Sequence, residues 1–260
     1  DSDHVTIIDP ALHKRSVRAA ALGNMMEWFD FGVYSYLAAT IGKVFFSQAS
    51  QSLQLVAAFG TYAAAFLIRP VGGMVLGPLG DLLGRQRVLS LTMIMMAIGT
   101  FSIGLIPSYD SIGVAAPLLL LLARLVQGFS TGGEYGGAAT FIAEYSTDRR
   151  RGFAGSFLEI GTISGYLMGA ILVTVMTWAC SPSFMLEWGW RIPFFISAPL
   201  GLFGFYMRTR VDETPSFKRQ QQQAQKAGEE GSAGGLVSLL KNNLRPLLQC
   251  VGLVLLFNVS

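Results

Sequence analysis

The sequence predicts an all-α membrane protein, built as six transmembrane helices and the start of a seventh. Three observations lead there. The 260 residues are 52% hydrophobic and only 13% charged, where a soluble domain carries about 25% charge. The apolar residues collect into six long runs, each near or above the roughly 20 residues an α-helix needs to cross a bilayer. Lys and Arg stand in short groups between those runs, as orientation signals do. The same grouping removes the nucleic-acid reading of a pI near 9.0, because no basic face is formed.

The first run covers residues 17–37 and can be extended to 46. It follows a polar tail, residues 1–16, that holds both histidines, His4 and His13. No cleavable signal peptide is visible, since this run is too long for an h-region. At its centre lies "GNMMEWFDFGVY", with Glu27 and Asp30 three residues apart on one helix face. Two acids in the middle of a membrane span need a reason.

The second run, 53–76, carries Tyr62 and Arg69, the latter directly before Pro70. Arg69 either snorkels to the cytoplasmic headgroups or lines an internal cavity, and its distance from the end of the run favours the cavity. "GPLGDLLGRQR", Gly77 to Arg87, then reads as a glycine-rich turn with Asp81 and Arg85 at a helix end. This stretch resembles the signature loop of the major facilitator superfamily, G-x-x-x-D-[R/K]-x-G-R-[R/K]. Gly77, Asp81, Gly84 and Arg85 match; Leu82 and Gln86 depart, and Arg87 falls one place late. In that superfamily the loop gates the cytoplasmic mouth.

The third run is 88–106 and the fourth 114–143. The fourth contains "RLVQGFSTGGEYGG", with Arg124, Gln127 and Glu134. A guanidinium in a membrane costs at least ~2.5 kcal/mol, so Arg124 must face the bundle interior and meet an acid or a ligand. R-x-x-Q-G is similar to a second superfamily motif on the fourth helix. The glycines around Glu134 suit close packing or a locally irregular helix. "GFSTG" fits the nucleophile-elbow pattern, but it sits in a membrane helix with no histidine near, so a serine hydrolase is excluded.

The fifth run, 153–178, spaces Gly161, Gly165 and Gly169 four apart, a seam for helix packing. Glu159 in the same run reads as another intramembrane acid, either buried or near the cytoplasmic end. The sixth, 192–207, is entered through "EWGWRIPFF", whose Trp188 and Trp190 fit an interfacial aromatic belt. Residues 17–210 thus form a six-helix unit, 211–245 a polar Gly- and Gln-rich linker, and 246–260 the start of a seventh span. That last piece is too short to cross alone, so the chain reads as part of a longer one. Every strongly basic loop falls on one side of the membrane, which puts the N-terminus in the cytoplasm.

"GNMMEWFDFGVY", "FLIRPVGG", "QGFSTGGEYGG", "AEYSTDRRRGF" and "WGWRIPFF" occur in order along nearly the whole chain. Together they resemble the metabolite–proton symporter family of the major facilitator superfamily, and within it most of all the bacterial proline/glycine-betaine transporters. The resemblance implies the N-terminal half of a twelve-helix major facilitator fold, whose partner is a C-terminal six-helix half. It further implies a proton-coupled importer of compatible solutes in the cytoplasmic (inner) membrane, active under osmotic stress. No cofactor is expected, since the proton gradient drives such carriers. Arg149, Arg150 and Arg151 join Gly77, Asp81, Gly84 and Arg85 as expected gating-loop residues.

Proton symport needs a buried acid that cycles between charged and neutral. Counting about 1.5 Å per residue brings Arg124 nearer Asp30 than Glu27, so an Asp30–Arg124 pair is expected as the proton switch, with Glu27 and Glu134 as further relay members. Related sugar–proton symporters pair an Asp on helix one with an Arg on helix four. A zwitterionic solute needs a guanidinium for its carboxylate, and aromatic faces or an acid for its cationic end. The candidates are Arg69, Arg124, Gln127, Glu27, Trp28, Phe29, Tyr34 and Tyr62, with plain lipid or helix packing the favoured reading for each aromatic taken singly. Two alternatives stay open. One is a carboxylate cargo such as 2-oxoglutarate, citrate or shikimate, which would need more cationic side chains. The other is a channel or sensor. No Walker loop, metal-ligand cluster or usable triad is present, so an enzyme is not expected. The expected partners are lipid, a small zwitterion and the proton.

Overall fold

A computed structural model provides the structure of the chain and describes residues 10–134, 138, 142, 151–209 and 249. The chain divides into two compact units, Asp1–Phe217 and Lys218–Ser260. Every helix described below belongs to the first. The expected linker and seventh span lie outside the described residues, apart from Gln249, which is helical.

The elements are α1 (Pro10–Phe45), α2 (Gln51–Leu67), α3 (Arg69–Leu83), α4 (Arg85–Leu105), the short α5 (Tyr109–Ile112), α6 (Ala115–Gly132), α7 (Arg151–Ala179), α8 (Pro182–Glu187), a 3₁₀ turn (Gly189–Arg191) and α9 (Ile192–Thr209). No strand occurs among the described residues. Among the described residues, four stretches are long and apolar enough to cross a membrane: Gln51–Gly80, Gln86–Leu105, Ala115–Gly132 and Arg151–Ala179.

The last seven residues of the polar tail are helical and continuous with the first span. α1 already begins at Pro10, a residue whose fixed φ suits the first helical position. At 36 residues it is about 54 Å long and outreaches the ~30 Å hydrocarbon core. The second expected span is two helices. Pro70 has no N–H to donate to Phe66, so the ladder breaks there and resumes with Gly72 donating to the Ile68 carbonyl at 3.1 Å. Ile68 keeps near-helical angles (φ −80°, ψ −16°), so this is an interruption and not a turn.

The Gly77–Arg87 stretch is almost entirely helical, against its reading as a loop. α3 runs through Gly77 and Asp81 to Leu83, and α4 opens at Arg85. Glycine breaks helices in water, but neighbouring helices support it in a membrane bundle. Only Gly84 leaves the helical region, at φ 103° and ψ 137°, where a Cβ is strained. Gly84→Ala is expected to cost about 1–3 kcal/mol. A Cβ on Gly77 meets open space, so Gly77→Ala should be neutral or better. Thermal unfolding in detergent checks this, and equal shifts for both variants would refute the assignment. Arg151 opens α7, while Arg149 and Arg150 lie outside the described residues.

Three backbone approaches lock α6 against the α2–α3 pair. Gly128 faces the Ala65 carbonyl, Gly132 that of Arg69, and Gly72 that of Phe129. Close packing therefore accounts for the glycines of α6 up to Gly132, and Gly136 and Gly137 lie outside the described residues. α1 lies along α7 through the Gly161, Gly165, Gly169 seam, and α4 packs on α9. The main core joins Val33, Leu37 and Phe45 of α1 to Ile103, Leu120 and Phe194. Trp190 corrects the aromatic-belt reading. It is fully buried, edge-on to Phe45 at 5.3 Å, and of this pair Trp188 alone is exposed (58%). Glu159 is exposed, so it is not an intramembrane buried acid.

The distribution of polarity is inside out. Ile163, Leu167 and Ile171 project outward from α7, while Glu27, Asp30, Arg124 and Glu134 are buried. That arrangement is unfavourable against water and suits apolar surroundings.

Candidate functional site

Burying an isolated charge costs so much that it must be paired and hydrogen-bonded. The buried charges mentioned above therefore define where chemistry is concentrated. α1 supplies Glu27, Asp30 and Tyr34, at i, i+3 and i+7 on one face. α6 supplies Arg124 and Gln127 one turn apart, α3 supplies Arg69, α4 Thr100 and α9 Ser197. The glycine contacts between α6 and α2–α3 hold these elements close enough for their side chains to meet.

Two groups result. In the first, Arg69 Nη2 lies 3.2 Å from Glu27 Oε1. The Arg69 guanidinium carbon sits 4.5 Å from the Phe31 ring centroid and 4.2 Å from that of Phe66. The two rings are 5.0 Å apart, and Tyr62 closes on both at 5.8 and 5.1 Å. Trp28, half-buried, stands 6.1 Å from Phe31. The charge of buried Glu134 also acts on Arg69. Arg69 is thus a cation seated on a carboxylate between aromatic faces, which favours the cavity reading over snorkelling.

In the second group, Arg124 is fully buried with its guanidinium carbon 3.4 Å from the centroid of the Tyr34 ring. Its Nη1 donates to Gln127 Oε1 at 2.9 Å. Gln127 Nε2 donates to Thr100 Oγ1, and Thr100 Oγ1 donates to Asp30 Oδ2 at 2.5 Å. Ser197 stands beside Asp30. Tyr34 is held by hydrogen bonds to the Ala58 carbonyl and Thr61, and it stacks on Tyr62 at 5.8 Å. Among the described residues, Arg124 Nε and Nη2 and Asp30 Oδ1 meet no hydrogen-bond partner.

Several expectations change. Asp30 and Arg124 do not form a direct ion pair; Thr100 and Gln127 stand between them. Gln127 spends both ends of its amide inside the protein. Phe29 points away from this site into the core, its backbone against Gly165 and Gly169 of α7. Phe31 takes the place expected for it, four residues from Glu27 and so on the same face. That spacing was readable in advance. Phe66 and Thr100 carried no comparable signal, because Phe and Thr are ordinary in membrane helices. Asn24 was also missed: it is buried and ties α1 to α7 through the Leu158 carbonyl (2.7 Å) and Thr162 (2.6 Å). No cluster of three His, Cys, Asp or Glu side chains able to hold a metal occurs among the described residues.

A family model described as sugar (and other) transporter matches residues 17–241. The proline/betaine transporter of Escherichia coli (strain K12) is 49% identical over 260 residues, covering 98% of this chain and 52% of that protein. The glycine betaine/proline/ectoine/pipecolic acid transporter OusA of Dickeya dadantii (strain 3937) is 49% identical over 262 residues, covering 99% and 52%. The chain therefore spans about half the length of these relatives, which are named as transporters and not as enzymes. Among solved structures, the major facilitator superfamily proton:xylose symporter XylE superposes with a TM-score of 0.73 at 20% identity, over 95% of this chain and 56% of that one. With most of its length matched by the family model, the chain belongs to the sugar (and other) transporter family, as the N-terminal six-helix half of a multi-pass major facilitator fold.

Proposed function

We propose that this chain is half of a proton-coupled importer of zwitterionic compatible solutes such as proline and glycine betaine. The carrying observation is that three buried acids, Glu27, Asp30 and Glu134, and two buried or half-buried guanidiniums, Arg69 and Arg124, share one polar seam inside an outwardly apolar bundle. Symport needs a titratable group shielded from water, and Asp30 meets that need. Zwitterion binding needs one anion site and one cation site. Arg124 has donors to spare for a carboxylate. The Glu27, Phe31 and Phe66 seat has the chemistry that recognises quaternary ammonium groups, and Arg69 fills it in this conformation. Tyr34 and Tyr62 stack between the two groups, and Trp28 stands beside Phe31.

The relatives named for proline and betaine support the cargo class. A di- or tricarboxylate fits less well, since among the described residues the seam holds two guanidiniums, Arg69 and Arg124, and the first is already matched to Glu27. The expected setting is the cytoplasmic membrane of a cell under osmotic stress, with the N-terminus cytoplasmic and the proton gradient as the energy source. Gly77, Asp81, Gly84, Arg85 and Arg149–Arg151 are proposed to shape the cytoplasmic gate. A C-terminal half completes the cavity.

The test is uptake of labelled betaine, proline and 2-oxoglutarate by the complete two-half transporter in proteoliposomes. Betaine and proline are expected to accumulate above equilibrium only when the proton gradient points inward. Accumulation of 2-oxoglutarate alone would replace the cargo, and accumulation without a gradient would remove proton coupling.

A further inference from the structure

The Asp30 and Arg124 side chains do not touch, yet every hydrogen bond between them runs in one direction. Arg124 can only donate, so the Gln127 oxygen must face it and the Gln127 nitrogen must face Thr100. Thr100 then receives a hydrogen from Gln127 and turns its own hydrogen onto Asp30 Oδ2. The guanidinium thus fixes the amide, the amide fixes the hydroxyl, and the hydroxyl favours a carboxylate that accepts. All four residues are buried, so water does not offer a substitute partner.

We propose that Thr100 and Gln127 form a directional relay that passes the proton state of Asp30 to Arg124, so that loading the proton alters how firmly Arg124 is held for a substrate carboxylate. This rests on the symport reading above. A proton arriving on Oδ2 would set two hydrogens between that oxygen and Thr100, and the hydroxyl must turn away. A proton arriving on Oδ1, the oxygen that Thr100 does not bond, removes the charge that makes the Thr100 bond strong. Either route loosens the first link, and the amide and guanidinium lose their alignment in turn. The other groups near Asp30 do not compete. From α9 only the Ser197 hydroxyl reaches it, and from α6 only the charge of Arg124. Arg69 of α3 faces Glu27, Tyr62 of α2 faces Tyr34 and Phe31, and Tyr166 of α7 faces Ser35 and Tyr36. Thr100 and Gln127 are positioning residues in this scheme, since neither holds the proton.

The experiment is the pH profile of betaine uptake by the complete transporter, with rates normalised to the amount in the membrane. Thr100→Val removes the hydroxyl at nearly constant shape. It is expected to move the pH midpoint of uptake upward by about one to two units, the size of one charge-assisted hydrogen bond. Gln127→Leu is expected to move it the same way, and the double variant no farther than the larger single, because links in series do not add. Thr100→Ser should restore the original profile, and Thr100→Ala replaces Thr100→Val if the latter does not reach the membrane. An unchanged midpoint in the hydroxyl-less variant, or additive shifts in the double, overturns the relay while leaving symport intact. Uptake by the unsubstituted protein that ignores the gradient overturns symport and the relay together.

Discussion

Asp30→Asn is expected to reduce concentrative betaine uptake by about 10²-fold or more while leaving counterflow running, a magnitude set by the loss of a positioned proton carrier. What the side chain holds in place differs from what it exchanges. Asparagine matches aspartate in shape, and its carbonyl oxygen can still accept from Thr100. The local packing around Thr100 and Ser197 therefore has no reason to collapse, and burial of a neutral amide removes the cost of a buried carboxylate. What the variant cannot do is release and regain a proton. Uphill import needs one such cycle per turnover. Exchange of labelled for unlabelled solute across the membrane needs only the substrate-bound half of the cycle. Measured side by side in proteoliposomes, the two assays should diverge. Full concentrative uptake by Asp30→Asn would sink the assignment, and loss of both activities in a well-folded variant would make Asp30 a binding group instead.

Much of this architecture was legible because it is written in local periodicities. Six apolar runs and the grouping of Lys and Arg give the bundle without tertiary knowledge. The four-residue spacing of Gly161, Gly165 and Gly169 announces a packed seam, and Arg124 draws notice because a lone guanidinium in a membrane has to be explained. Partner choice was less legible. Depth counting brought Asp30 and Arg124 to a similar level, but it cannot see a Thr and a Gln between them, which depends on rotamers from α4 and α6. The choice between Phe29 and Phe31 was an avoidable error. Two residues along a helix is about 200° of rotation, so Phe29 cannot share the face of Glu27, while Phe31 at four residues must. The Gly77–Arg87 stretch misled for a different reason. Glycine density reads as a turn in water, and here a single residue, Gly84, makes the reversal while the others continue their helices.

Gly165→Val is expected to prevent accumulation of the folded protein, because the new side chain would occupy space already filled by backbone. A Cβ at Gly165 runs into the Met25 carbonyl and comes within 2.9 Å of the Phe29 nitrogen, and one at Gly161 comes within 2.5 Å of the Ala21 carbonyl. Overpacking against side chains costs about 1–3 kcal/mol because they can rotate aside. Here the obstacle is the main chain of α1, which can yield only by moving as a helix, so the penalty exceeds that range. The displacement would also carry the site with it: Met25 and Phe29 flank Glu27, and Asp30 follows directly. Helix association in lipid relies on such close contacts, having no hydrophobic force to replace them. The same helix supplies its own control. Gly155 lies six residues before Gly161, nearly two turns from the seam, where a Cβ meets nothing within 4 Å. Gly155→Val should accumulate and unfold within a few degrees of the unsubstituted protein, whereas Gly165→Val should yield little monodisperse protein in detergent. Equal tolerance at both positions would show that α1 does not rest on this seam, and the depth relations among Glu27, Asp30 and α6 would lose their support.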